Sequence, residues 1–229
     1  MDKTVPAGAA MLLDFIGDIE APKGYGTIYA NKQHKLTKPL TSMTLGDVVD
    51  AQAGWSKNHG SSAAGRYQFM KATLIDLSRE LGLRGNQIFD ADLQDRLAYH
   101  LLKRRGYEAF MGGQISRTEF GKRLAQEWAS LPVLAATKGG SRTVKRGQSY
   151  YAGDGLNKAL VAPETVEALL DRVRALAGKP ATSPAPSKPA PQPSTSAKPA
   201  GGKQGASGSI LAAFALIVVA VVLFIIFGN

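Results

Sequence analysis

The chain has 229 residues and a net charge of +10, and it contains no cysteine. That excludes a disulfide framework, Cys-ligated zinc, an iron–sulfur site and a thiol nucleophile. Beyond residue 178 there are four lysines and no acid, so residues 1–178 keep 24 basic against 18 acidic side chains, a net +6.

The N-terminus has no basic stretch followed by an apolar run, so no secretory signal peptide is expected. Met11, Leu12, Phe15, Ile16 and Ile19 recur at helical spacing and predict a first helix ending near Glu20. Residues 24–32 mix Gly, Tyr and Ile and predict a short irregular hairpin. Thr44 with Asp47 caps a short helix running to Ala53, and residues 54–64 read as loop. A helix is predicted over residues 64–81, closed by Gly82, and another from Asp90 to Arg105. Ser116 with Glu119 makes a capping box for a helix reaching Ser130, stopped by Pro132. Residues 134–154 carry glycines and little apolar periodicity and read as loop. Pro163 starts a last helix through Ala177.

The composition then changes. Residues 179–208 hold seven prolines with Ala, Ser, Thr, Gly, Gln and Lys, and no large apolar side chain. Such a segment buries too little surface to offset its ordering entropy, so it is expected to be a spacer. Residues 210–227 are uninterruptedly apolar, and 14 of these 18 are Ile, Leu, Val or Phe. As a helix they would extend ~27 Å, close to the ~30 Å hydrocarbon core of a bilayer. The expected organisation is a folded domain over residues 1–178, a linker over 179–208 and a single C-terminal transmembrane anchor over 209–229. The folded domain is expected to be mainly α with a small β element, an α+β class.

The positive charge suits an anionic partner or mere solubility. The cations are scattered. Their densest run, Lys103-Arg104-Arg105, ends a predicted helix, where it complements the helix dipole. Nucleic acid is therefore not the expected partner. His34, His59 and His100 match no metal-ligand spacing, and neither a metal nor another cofactor is expected. Carboxylates are then the natural acid–base groups. Glu20 stands where an apolar helix meets Ala21-Pro22-Lys23-Gly24, and a helix-end carboxyl facing a cleft can be desolvated and held protonated near neutrality. The plain alternative is a solvated surface Glu. Tyr67 and Gln68 in Ala64-Gly65-Arg66-Tyr67-Gln68 offer an aromatic face and an amide, both suited to sugars, or plain core packing. The same pair of readings applies to Trp128 and Ser130 in Trp128-Ala129-Ser130-Leu131-Pro132 and to the loop from Gly147 to Gly155.

Taken in order, the helix-end Glu before a Gly-Tyr segment, then AGRYQ, then WASLP, resemble the lambda-type phage endolysins over roughly residues 8–156. Where those enzymes follow the Glu with Gly-Thr, this chain has Ala21-Pro22. The resemblance implies a lysozyme-like fold and cleavage of the MurNAc–GlcNAc β-1,4 bond in peptidoglycan glycan strands. It places the catalytic acid on Glu20 and the substrate cleft on Tyr67, Gln68, Trp128 and Ser130, with Tyr25 from the Gly-Tyr segment. It also implies lytic transglycosylation, which needs one acid. A hydrolase would need a second carboxylate. Asp18, two positions from Glu20, should point away, which leaves Asp47, Asp50 and Asp154 as candidates. Two non-enzymatic readings stand beside these: an inactive tether between membrane and peptidoglycan, and a membrane-lytic role for the apolar tail.

Overall fold

A computed structural model describes residues 1–176 of the chain. The described residues form seven α-helices: α1 (Ala7–Glu20), α2 (Leu45–His59), α3 (Lys71–Glu80), α4 (Ala91–Arg104), α5 (Tyr107–Met111), α6 (Arg117–Glu127) and α7 (Pro163–Ala175). Short 3-10 turns cover Tyr29–Lys35 and Leu40–Ser42. The antiparallel pair β1 (Thr137–Lys138) and β2 (Thr143–Val144) supplies the small sheet. Mainly α with a minor β element is therefore what the described residues adopt. Among the described residues no helix is long and apolar enough to cross a membrane. The linker over 179–208, the apolar run over 210–227 and Ala177 all lie outside them.

The core explains the order of the helices. α1 buries Leu12, Leu13 and Ile16 against α4 and α7. Each such side chain removed from water contributes about 1.5–3 kcal/mol. Gly8 lets α5 approach: a Cβ there would lie 2.7 Å from the Tyr107 hydroxyl. Aromatic rings continue the core, edge-on between Tyr67, Phe69 and Phe89 and stacked between Phe110 and Phe120.

Several expected elements are corrected. Residues 24–32 form no hairpin of their own. Ile28 instead bridges Ala64, and a 3-10 turn follows. α2 runs past Ala53 to His59, because Trp55 packs into the core and Gly60 closes the helix in the left-handed region at φ 88°. The buried Gln52 amide ties α2 to the carbonyls of Ser62 and Phe69. The helix expected from residue 64 begins only at Lys71. Ala64 and Phe69 exchange backbone hydrogen bonds of 2.8 and 3.0 Å, and the four residues between them make a tight turn with Gly65 at φ 78° and Gln68 at φ 50°. α6 stops at Glu127, because Trp128 turns extended (φ −116°, ψ 103°). The capping box at α6 is half formed. Ser116 accepts from the Glu119 N–H, while the Glu119 carboxylate pairs with Arg123. Residues 134–154 contain β1 and β2.

Candidate active site

Three segments meet around one open cleft. The end of α1 supplies Glu20, the Gly65 turn supplies Tyr67 and Gln68, and the end of α6 supplies Gln126, Glu127 and Trp128. Arg105, just after α4, Thr73 of α3 and Tyr151, from the loop before α7, add to its polar lining.

Glu20 reaches this place because Ala21 leaves the helix at φ −144°, with its N–H still held by the Gly17 carbonyl. Glu20 is half-buried as a residue and lines the cleft. The buried Ser130 hydroxyl donates to its Oε1. Burial pushes the carboxyl up to about 7, and the Ser130 hydrogen bonds offset only part of that shift. A protonated carboxyl near neutrality is what a general acid requires. Ser130 is itself fixed: its carbonyl accepts from Leu160 N–H at 2.8 Å, and Pro132 bridges Ser149.

Trp128 is 3% exposed. Its indole N–H donates to the Tyr67 carbonyl at 3.4 Å, which ties the α6 end to the Gly65 turn. Tyr67 lines the cleft but is buried, and it commits its hydroxyl elsewhere. That hydroxyl donates to Asp95 Oδ1 at 2.6 Å, and the Tyr25 hydroxyl donates to the same oxygen at 2.9 Å. Burial, then the hydrogen bond to Asp95, raises Tyr25 to about 12 and raises Tyr67 as well. Asp95 is fully buried, and its Oδ2 accepts from the Asp2 backbone N–H. Tyr25 does not line the cleft; it packs under Arg66, which also pairs with Asp18 at 2.9 Å. Gln68 does line it, with its amide turned back to the Gly65 carbonyl at 2.8 Å.

The three candidate second carboxylates lie elsewhere. Asp47 caps α2 and pairs with Lys38 at 3.0 Å, and the Lys38 contact, with the Thr44 hydrogen bonds, lowers its pKa. Asp50 lines a separate shallow groove beside Leu45, Val49 and Ile75. Burial would raise Asp154, but hydrogen bonds from Asn157 and Leu156 outweigh it and hold the carboxyl below its usual range. The second carboxylate in the cleft is Glu127, paired through Oε2 with Arg105 Nε at 2.7 Å. By local sequence Arg105 belongs to the cationic run that ends a predicted helix, and Glu127 carries no motif of its own. Tyr151 was one aromatic in a Gly-rich loop; it is anchored by its hydroxyl to the Gln126 carbonyl at 2.7 Å. Only the fold, which joins chain positions 105, 127 and 151, could single them out. Among the described residues no group of three or more His, Cys, Asp or Glu is arranged to hold a metal.

Residues 47–156, just under half of the chain, match the family model described as Endolysin. The match supports the endolysin resemblance for that stretch. It includes every cleft residue named above except Glu20. No curated protein and no solved structure gives a match.

Proposed function

We propose that this chain is a peptidoglycan-cleaving glycosidase that breaks the MurNAc–GlcNAc β-1,4 bond, with Glu20 as its general acid. The observation that carries this reading is the Glu20 carboxyl itself, which burial holds at about 7 on the wall of a cleft lined by aromatic and amide groups. The match to an endolysin family supports the choice of substrate. In the cleavage step the Glu20 carboxyl gives its proton to the glycosidic oxygen as the bond to the MurNAc anomeric carbon breaks. The resulting carboxylate then takes the proton of the MurNAc 6-hydroxyl as that oxygen bonds to the same carbon. The products are a 1,6-anhydro-MurNAc end and a GlcNAc end with a free 4-hydroxyl, and Glu20 is left protonated again.

This single-acid route fits a cleft whose other carboxylate is engaged by Arg105. Hydrolysis is the second reading, favoured by the presence of Glu127 in the same cleft. Product mass separates the two, because an anhydro end lacks one water relative to a reducing end. Mass spectrometry of digested peptidoglycan is expected to show anhydro-MurNAc as the main terminus. Reducing MurNAc as the main terminus would establish hydrolysis and turn attention to Glu127.

The same proposal places the enzyme on a membrane through residues 210–227, in phage lysis or cell entry. Its basis is the sequence alone: 18 apolar residues behind a linker of about 30. A spacer of that length gives a flexible reach of roughly 30 Å, and more where its prolines extend it. The full chain should stay with membranes through an alkaline carbonate wash, and its release would refute the anchor.

A further inference from the structure

The muramyl sugars differ from their GlcNAc neighbours by one acidic branch, the lactyl group. It ends either in a free carboxylate or in a peptide that bears carboxylates. A cleft that reads this branch needs a cation with unspent donors. Among the residues that line the cleft, Arg105 is the sole cation. It sits one residue beyond α4, where Gly106 in the left-handed region (φ 92°) turns the chain away.

Its guanidinium is oriented without being consumed. Nε donates to Glu127 Oε2 at 2.7 Å, and the terminal NH2 groups have no hydrogen bond to any described residue. The Glu127 side chain is 12% exposed, against 32% for Arg105. The buried partner thus fixes the outer one in the cleft wall. A planar fork held by one edge, with its end groups open, suits bidentate capture of a carboxylate. A purely structural clamp between the ends of α4 and α6 would need neither open donors nor a place in the cleft that Glu20 lines.

We infer that Arg105, positioned by Glu127, binds a carboxylate on the muramyl branch and so makes the cleft select MurNAc-containing strands over neutral N-acetylglucosamine polymers. This rests on the glycosidase reading above and adds a specificity residue to it.

The test is binding by the full-length chain carrying Glu20→Gln, so that ligand is not consumed. Three soluble probes are compared: a peptide-bearing GlcNAc–MurNAc tetrasaccharide, the same tetrasaccharide stripped of peptide, and chitotetraose. Adding Arg105→Met is expected to weaken binding of a muramyl probe about tenfold or more, the scale of a lost charge-assisted hydrogen-bond pair. Chitotetraose binding should change less than twofold. Arg105→Lys, which keeps the charge and the stem but loses the fork, should fall between. It also serves as the reporting variant if the Met form fails to fold. Loss confined to the peptide-free probe assigns the lactyl carboxylate, and loss confined to the peptide-bearing probe assigns a stem-peptide carboxylate; both support the inference. No loss on either muramyl probe, or an equal loss on chitotetraose, overturns it. Wall digestion by the unsubstituted chain is measured in parallel. Failure there counts against the glycosidase reading, whereas failure of discrimination counts against Arg105.

Discussion

Glu20→Gln is expected to lower peptidoglycan cleavage by roughly 10²–10⁴-fold, the usual contribution of a positioned general acid. The amide keeps the size of the side chain and a carbonyl oxygen for the Ser130 hydroxyl, but it has no acidic proton to give. The same substitution should make the protein more stable at alkaline pH. The folded carboxyl ionises only near 7, against an ordinary value of 4.5. The unfolded chain therefore binds fewer protons between those values, and stability falls as pH rises from about 4.5 to about 7. Above pH 7 the full penalty is present, roughly 1–3 kcal/mol after allowing for the side chain's partial exposure. Gln carries no such penalty, so the variant should exceed the wild type by about that amount at pH 8 and converge with it near pH 4.5. Turbidity loss on outer-membrane-stripped cells and denaturant melts at both pH values measure the two effects. A variant that is active, or no more stable at pH 8 than at pH 4.5 relative to wild type, would contradict the assignment.

Gly65→Ala should be among the most damaging single substitutions outside the acid itself. Gly65 holds φ at 78°, which costs an L-residue about 1–2 kcal/mol. A Cβ there would also stand 2.3 Å from Gln94 Oε1 and 2.8 Å from its Cδ. Gln94 cannot step aside. It is fully buried, its Oε1 accepts from the Arg66 N–H at 2.9 Å, and its Nε2 donates to the carbonyls of Phe89 at 3.0 Å and Tyr25 at 3.2 Å. Losing part of that set adds about 1–3 kcal/mol. At roughly 2–4 °C per kcal/mol for a domain of this size, the melting temperature should drop by about 10 °C. Gly54→Ala is the internal contrast. It lies inside α2 with nothing within 4 Å of its Cβ position, so it should stabilise by about 0.5–1 kcal/mol. Thermal melts that rank the two variants the other way would contradict this account of the turn.

The position of Glu20 at a helix end was legible in the sequence because two local signals coincide there, the end of an apolar helical stripe and a Pro-Gly exit. The helix starts at Thr44, Asp90 and Pro163 were legible for the same kind of reason: each is a short-range pattern with its own mechanism. What failed was decided at long range. Gly54 looked like a stop, yet the burial of Trp55 carried α2 through it. Tyr67 and Phe69 looked like the first turn of a helix. Pairing of Ala64 with Ile28 and Phe69 made a tight turn instead, and that turn presents Tyr67 and Gln68 to the cleft. Arg105 and Glu127 carried no local signal of the pair they form, since an ion pair across 22 positions exists only once the fold brings these two chain positions together.

The titration of Glu20 tests the central claim most directly. Because the acid must be protonated to act, kcat/KM for wall cleavage by the wild-type chain should fall as pH rises, with a midpoint near the value of about 7 that burial imposes on this carboxyl. A site-resolved carboxyl titration by NMR should give the same midpoint for Glu20. A carboxyl that titrates near its ordinary 4.5, or cleavage that is undiminished well above pH 8, would contradict Glu20 as the general acid.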